Sequence, residues 1–412
     1  MHQHPPTIPA LMAPAPRRAN PLLRSRLGLA GMAFLLLMLL ACLGSLPWTL
    51  ARVDGSPRYD AQDRIAQLMP PSWVYSPKLS ASADPEELPD GPLRRTHEIA
   101  RRTLQQSNIP ITDASLNAAR PSYALGTDVL GRSLMVRVLT GGGISLTIGL
   151  AAAFLSVLVG TLYGALAGYA GGRTDAVMMR IVDILFGLPY ILLVVLLAVA
   201  IDAAVGRWQS TAELHTRSQR DAWVERELAS KPEPARSDAA ILESLRRQAV
   251  AQVPSRELSP AKRQTIAVLT LVVAIGGVSW LTMARVIRGQ VLSLKAQPFI
   301  EAARAGGTST GGIFFRHLLP NLIGPIVVYA TLTVPQAILQ ESFLSFLGIG
   351  VRPPLPSWGN LAAEGLSELN PYRSHWWLLL FPCLLLGTTL LALNFVGEAL
   401  REALDPKRSR RR

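Results

Sequence analysis

Long stretches without a charged residue recur six times along this 412-residue chain. They lie between Arg26 and Arg52, Arg137 and Arg173, Asp183 and Asp202, Arg263 and Arg285, Arg316 and Glu341, and Arg373 and Glu398. A helix of about 20 apolar residues crosses the roughly 30 Å hydrocarbon layer of a bilayer. The pattern therefore predicts six transmembrane helices.

The third stretch, residues 184–201, is short for a membrane span and contains Pro189. The residues immediately before it, 178–182, are mostly apolar. We expect them to extend the third helix far enough to cross the bilayer.

Composition supports a membrane protein. Hydrophobic residues make up 49% of the chain and charged residues 17%, and the mean hydropathy is positive. The alternative is a soluble helical protein, but its core helices would normally carry a polar stripe that these stretches lack. We therefore expect an all-α integral membrane protein.

The first stretch has a second interpretation as a cleaved signal sequence. Arginines precede it, and LLAC at residues 39–42 is similar to a lipoprotein cleavage site. However, the apolar stretch continues past Cys42 to Trp48, and Leu40 is bulky for such a site. We expect it to remain as a membrane anchor.

Basic residues predict the orientation, because cytoplasmic loops of membrane proteins are enriched in Lys and Arg. Five arginines and no acid precede Asp54, and five of the last six residues are basic. Residues 285–316 carry five basic residues against the single acid Glu301. Both termini and this loop are therefore expected in the cytoplasm. These flanks account for much of the net charge of +13, so no nucleic-acid partner is needed.

These assignments divide the chain into segments. They are a cytoplasmic tail over 1–26, a first span over 27–50, an external segment over 51–137, a core with five spans over 138–401, and a basic cytoplasmic tail over 402–412. Within the core lie a polar external insert, 203–262, and a cytoplasmic loop, 286–320. Helix-favouring sequence around 211–230 and 238–250 of the insert, split by KPEP, predicts two surface helices or a partly disordered arm.

The loop before the fifth span reads EAARAGGTSTGGIFFRHLLPN at residues 301–321. Pro298 suits a first helical turn, and the helix-favouring residues after it predict a short helix that Gly306 and Gly307 end. Thr308 or Ser309 can cap a second helix, which we expect Pro320 to interrupt. Two short helices with a sharp bend are too polar for lipid and suit a cytoplasmic protein partner.

The sequence lacks the signatures of several other function classes. No GxxxxGK[ST] phosphate-binding loop is present, so any ATP is expected on another polypeptide. Cys42 and Cys383 fall in predicted spans, and no histidine spacing indicates a metal or catalytic site. Ion-coupled secondary carriers are the second function class, but they usually keep ionisable groups in their spans. Here Asp183 is the main exception, and we expect it to snorkel or to pair with an arginine at the interface.

Several motifs resemble those of the permease subunits of ATP-binding-cassette (ABC) importers, in the oligopeptide and dipeptide branch. EAA, then glycine, then a group ending in LP is similar to the signature loop of that family, and the matching residues are Glu301, Ala302, Ala303, Gly307, His317, Leu319 and Pro320. Four further stretches resemble the branch in the same order: GTDVLGRS at 126–133, GYAGGRTDAVMMRIVDILFGLP at 168–189, ESFLSFLGIGVRPPLPSWGNL at 341–361 and NFVGEALREALDP at 394–406.

The resemblance implies a type I ABC-importer permease fold, in the subunit type that has a long external segment after its first helix. It implies that the signature loop is a coupling helix that docks on a separate ATPase. The implied partners are a homologous permease subunit, two ATPase subunits that hold ATP and Mg, an extracytoplasmic solute-binding protein and the lipid of a bacterial inner membrane. The chain itself is expected to bind no cofactor or metal and to catalyse no reaction. Members of the branch transport peptides, and relatives transport nickel.

The chain departs from the branch at a few positions. Gly306 replaces a usual leucine, Gly311 and Gly312 dilute the second short helix, and Ser133 replaces a usual acid. The insert 203–262 replaces a brief connection and is expected to contact a binding protein, the partner permease or nothing.

The prolines after the fifth span predict an external re-entrant or surface strap. Trp358, Trp376 and Trp377 are expected in the outer interfacial belt rather than against substrate.

Overall fold

The computed structural model describes residues 26–53, 55–232, 238–254, 259–370 and 374–404. Its helices, numbered here in chain order, are α1 (Arg26–Thr49), α2 (Pro92–Gln106), α3 (Asp113–Ala118), α4 (Leu134–Ala170), α5 (Gly172–Phe186), α6 (Tyr190–Ala229), α7 (Ala239–Gln252), α8 (Pro260–Lys295), α9 (Pro298–Ala305), α10 (Thr310–Ile313), α11 (Leu319–Phe346), α12 (Trp358–Ser367) and α13 (Trp376–Leu404). Strands β1 (Arg52–Val53) and β2 (Ser56–Pro57) form a two-stranded antiparallel sheet. Both terminal tails lie largely outside the described residues.

Six helices in the described residues are long and apolar enough to cross a membrane, as predicted: α1, α4, α6, α8, α11 with the turn before it, and α13. They define two ends of the bundle. The EAA end carries residues 171–189 and 296–318. The other end, here called the long-segment end, carries the described residues of 50–133, 203–262 and 347–375.

The prediction for the start of the third span was wrong. Residues 178–182 belong to the separate helix α5, which ends at Phe186, and α6 begins only at Tyr190. The break follows from Pro189, which lacks an N–H, together with Gly187 before it. At its other end α6 continues to Ala229, so the span and the first helix of the insert form one helix of about 60 Å.

The insert forms a helical hairpin with this extension of α6. Asp238 accepts a hydrogen bond from the backbone N–H of Ala240 and caps α7. Val224 on α6 packs against Leu245 and Ala249 on α7. The KPEP sequence lies partly outside the described residues.

Helices α4 and α8 pack together at the centre of the bundle. Gly160, Gly164 and Gly168 recur every four residues along one face of α4, and a side chain at any of them would collide with α8. At Gly160, for example, a Cβ atom would lie 2.8 Å from the carbonyl oxygen of Trp280. Small residues allow this close approach, which is a common basis of helix packing in membranes.

Candidate functional site

The segment over residues 298–320, here called the EAA segment, has the predicted bend. Pro298 lies in the first turn of α9, and Gly306 follows its last residue. Gly307 has φ of +76°, a left-handed conformation that glycine adopts without steric cost. The Ser309 hydroxyl then accepts a hydrogen bond from the N–H of Gly312 and caps α10. The predicted first helix, its stop and the cap of the second are confirmed.

Pro320 does not interrupt the second helix, in contrast to the prediction. A π turn over Phe314–Leu318 joins α10 to α11, in whose first turn Pro320 lies. A π turn shifts the hydrogen-bond pattern by one residue, and the N–H of Leu319 bonds to the carbonyl of Phe314. Because the N–H groups of a first helical turn need no partner within the helix, Pro320 can lack its N–H there without losing a hydrogen bond. The second half of the EAA segment is therefore continuous with the fifth span.

Apolar side chains anchor the EAA segment to the bundle. Ile300, the buried residue of α9, is fully enclosed in a cluster with Ile287 and Val291 of α8. Ile313 and Leu318 join the same cluster from the other side of the bend. Both halves of the segment therefore rest on α8.

Tyr169 at the end of α4 also ties the segment to that helix, and Lys295 at the end of α8 bonds to the same residue. The Tyr169 hydroxyl donates a 2.8 Å hydrogen bond to the carbonyl of Thr310, and its ring packs edge-on against Phe314. The Lys295 ammonium donates to the carbonyl of Tyr169 at 2.8 Å. The GYAGG turn thus contacts the EAA segment within this chain.

The structure brings the predicted coupling residues into one segment but gives them different exposure. Glu301, Ala302, Gly307 and Pro320 are exposed, and Ala303, His317 and Leu319 are partly buried. Two large apolar side chains, which were not among the predicted site residues, lie beside them. Phe299 is 42% exposed and Phe315 is 69% exposed. Their signal was available as bulky apolar residues within an otherwise polar loop. Exposed aromatic rings beside charged groups are typical of protein interfaces.

Two ion pairs connect α5 to α8 at this end. Asp175 accepts hydrogen bonds of 2.5 and 2.6 Å from the guanidinium of Arg288, and this pairing holds the pKa of the Asp175 carboxyl below its usual range. Asp183 accepts a 2.8 Å hydrogen bond from Arg285, whose guanidinium also lies over the ring of Phe186. The prediction that Asp183 pairs with an arginine is confirmed.

A cavity of about 460 Å³ lies between α6, α8 and α11. Its polar lining residues are Tyr190, Ser279, Thr282, Tyr329, Thr333, Gln336 and Gln340. The remaining lining residues are apolar, and none of the lining residues is Asp, Glu, Lys, Arg or His. No sequence signal identified these positions.

The long-segment end contains a buried ionic cluster. Arg132 pairs with Asp60 at 2.9 Å and with Asp128 at 2.7 Å, and Arg137 pairs with Asp128 at 2.7 Å and with Glu364 on α12 at 2.5 Å. Both arginine side chains are at most 7% exposed. Asp128 and Arg132 of the GTDVLGRS motif therefore connect this end of the chain to Arg137 and Glu364 of the bundle.

Helix α12 packs inside the bundle rather than along its outer surface. Trp358 is fully buried, with its indole N–H donating to the carbonyl of Val138 at 3.1 Å, so its prediction as an interfacial residue was wrong. Trp377 is 6% exposed and donates to the carbonyl of Thr127, so the same correction applies. Indole rings find hydrogen-bond partners when buried, and these two lie at helix junctions.

One buried carboxylate lies within a span. Glu341, which the sequence analysis treated as the end of the fifth stretch, is fully buried in α11. It accepts hydrogen bonds from Ser345 at 2.7 Å and Ser342 at 3.3 Å, and the hydroxyl groups of Ser145 and Ser357 lie beside it. The prediction that Asp183 is the main ionisable residue of the spans is therefore corrected. Hydroxyl groups from α4, α11 and the start of α12 surround this carboxylate.

Comparisons with known proteins agree with this architecture. Residues 160–410 match the family described as "binding-protein-dependent transport system inner membrane component". The oligopeptide transport system permease protein OppC of Escherichia coli K12 is 41% identical over 310 residues, which cover 74% of this chain and 80% of the relative. The dipeptide transport system permease protein DppC of Bacillus subtilis is 35% identical over 317 residues, 77% of this chain and 76% of the relative. The OppC protein of Haemophilus influenzae is 36% identical over 300 residues, 72% and 75% of the two chains.

The matched region contains five of the six spans and the EAA segment in whole or in part, and the relatives cover about three quarters of the chain. The type I permease fold expected from the resemblance is thereby confirmed. The chain belongs to the family of binding-protein-dependent transport system inner membrane components, as a multi-pass permease subunit of an ABC importer.

Proposed function

We propose that this permease transports peptides, together with a homologous permease subunit that completes the path. The names of the relatives, which specify dipeptide and oligopeptide transport, support this substrate class. The cavity between α6, α8 and α11 also supports it, because its lining offers hydroxyl and amide groups and no charged group.

ATP binds and is hydrolysed on two separate ATPase subunits that hold Mg, and the EAA segment receives their motion. The continuity of the exposed EAA segment with α11 is the observation that carries this part of the proposal. A force on Glu301 or Phe315 is passed through the bend and the π turn to the fifth span. It also reaches α4 and α8 through the contacts of Tyr169 and Ile300.

In this proposal the EAA end faces the cytoplasm, as the basic residues of that end favour. Both termini then lie in the cytoplasm of a bacterium, and the long-segment end faces a solute-binding protein outside the inner membrane. ATP and the loaded binding protein favour different conformations of the permease, so that the path opens to one side at a time.

Charge reversal at Glu301 tests the coupling role. We expect Glu301→Arg to abolish ATP-dependent peptide uptake by the complete complex in proteoliposomes while its amount in the membrane stays normal. Gly307→Pro should do the same, because the ring of proline fixes φ near −65° and Gly307 has φ of +76°. The matched control is Glu225→Arg, an exposed glutamate on the extension of α6. Normal uptake by either EAA variant would refute the assignment.

Secondary carriers often use a buried carboxylate for proton coupling, and Glu341 is such a group, so the energy source of uptake is worth a direct test. The two functions differ in their energy source. Uptake that survives a protonophore but stops when the ATPase subunits are removed would support the ABC mechanism. The reverse result would support a carrier.

A further inference from the structure

Helix α11 carries a row of polar side chains along one face. Tyr329, Thr333, Gln336 and Gln340 follow one another at spacings of four, three and four residues, which places them on the same side of the helix. The row is about 16 Å long. All four line the cavity between α6, α8 and α11. A polar row of this length covers about half of the hydrocarbon layer.

Lipid is a poor environment for this face. A side-chain amide in hydrocarbon without a hydrogen-bond partner costs several kcal/mol, and polar residues of spans accordingly face the bundle or a water-filled cavity. Gln336 is exposed, and its amide makes no hydrogen bond to the residues that the structure describes. Its amide therefore lies in a position where water or a solute supplies the partner.

The opposite wall of the cavity fixes one end of the row. Tyr190, the first residue of α6, donates a 2.7 Å hydrogen bond to Oε1 of Gln340, and its hydroxyl lies 2.7 Å from that of Ser279 on α8. Three helices thus meet at this point. Gln340 is held in place by the Tyr190 contact, whereas Gln336, one turn earlier, projects into the cavity.

We propose that the row Tyr329, Thr333, Gln336 and Gln340 is the part of the path that contacts the peptide backbone, with Gln336 as the main contact. The inference rests on the proposed peptide import and extends it. A carboxamide carries both donors and an acceptor, so it pairs with both halves of a peptide group. Because every peptide has these groups, such a lining accepts cargo of any side-chain composition.

The same lining disfavours other cargo of the family. A nickel or other transition-metal ion binds to imidazole, thiolate or carboxylate groups, and none of these lines the cavity. Nor do the described residues contain a cluster of three or more His, Cys, Asp or Glu side chains that could hold a metal ion. The absence of fixed charge in the cavity lets acidic and basic peptides pass without a strong electrostatic preference.

The test uses the complete importer in proteoliposomes and three tripeptides: trialanine and the variants with a central aspartate or lysine. Gln336→Leu should lower uptake of all three by a similar factor of about five, the value of one lost hydrogen bond. Gln336→Glu should slow the aspartate peptide relative to trialanine by roughly five- to tenfold, and Gln336→Lys should slow the lysine peptide by a similar factor. The opposite charge preferences of these two variants distinguish contact with the cargo from a packing defect, because a packing defect would affect all three peptides alike.

The matched control is Thr388→Val on α13, which removes a polar side chain that bonds to the Leu384 carbonyl of its own helix, away from the cavity. It should leave all three uptake rates unchanged. Equal effects of Gln336→Glu and Gln336→Lys on the three peptides, or no effect, would overturn the inference while peptide import itself stands. If the unmodified complex takes up none of the peptides, the proposed substrate class fails, and the inference fails with it.

Discussion

The two ends of the bundle are held together by different kinds of contact. At the long-segment end, Arg137 is 1% exposed and is paired with Asp128 and with Glu364, which lies 227 residues away in sequence. At the EAA end, the Asp183 and Arg285 side chains are 58% and 37% exposed, and of the second pair Arg288 is 35% and Asp175 12% exposed. There, α9 is anchored mainly by the buried side chain of Ile300.

This difference indicates which end can move. Removing one partner of a buried ion pair costs about 3–5 kcal/mol, because the other charge stays buried without a partner. Exposed ion pairs contribute about 0–1 kcal/mol. The long-segment end therefore behaves as one unit with the bundle, whereas the EAA segment rests on contacts that are weak enough to rearrange when a partner acts on it.

The largest expected effect is at the buried cluster. Arg137→Ala removes one of the two guanidinium groups of the cluster and leaves Asp128 and Glu364 with Arg132 alone, so we expect the free energy of unfolding in detergent to fall by about 3 kcal/mol. Chemical denaturation followed by tryptophan fluorescence measures this. Arg247→Ala is the control, since it removes an arginine from an exposed pair with Glu243 and should have little effect. Equal losses for the two variants would remove the contrast between the ends.

The carboxylate of Glu341 comes next. Glu341→Leu removes the acceptor that Ser345 and Ser342 share, and we expect a loss of about 2–3 kcal/mol in the same denaturation experiment. Glu341→Gln keeps an acceptor of similar shape and should lose less. If both variants unfold like the unmodified chain, the serine hydroxyls have found other partners and the network does not stabilise this end.

How far the sequence predicts these regions depends on the range of the interactions involved. The six spans and the glycine bend could be predicted because apolar length and helix-stop residues act locally. The break before Tyr190 could not, since the apolar residues of α5 read as part of the span. The pairing of Arg137 with Glu364 depends on the packing of α4 against α12, and Gln336 is an isolated polar residue until the helices around it are placed.

At the EAA end, a single hydrogen bond gives a smaller effect. Tyr169→Phe removes the donor to the Thr310 carbonyl but keeps the aromatic contact with Phe314. We expect about 1 kcal/mol of local stability to be lost, seen as several-fold faster hydrogen exchange of the backbone amides in α10 and the π turn. Exchange at α12 should not change. A uniform rise over the whole chain would instead indicate global destabilisation.

The smallest effect should be the pH dependence of the contact between α5 and α8. Arg288 lowers the pKa of Asp175 from the usual value of about 4, so the charged carboxylate stabilises the folded chain. This contribution is complete above the usual carboxyl pKa and is lost as the pH falls through the lowered one.

Asp175→Asn should therefore be less stable than the unmodified chain by about 0.5–1 kcal/mol at pH 7, and the difference should shrink as the pH is taken below about 4. Asp202→Asn, at an exposed pair with Arg352, serves as the control. Because the Asp175 pair joins α5 to α8 beside the EAA segment, a difference that does not vary with pH would mean that packing rather than charge holds α5 there.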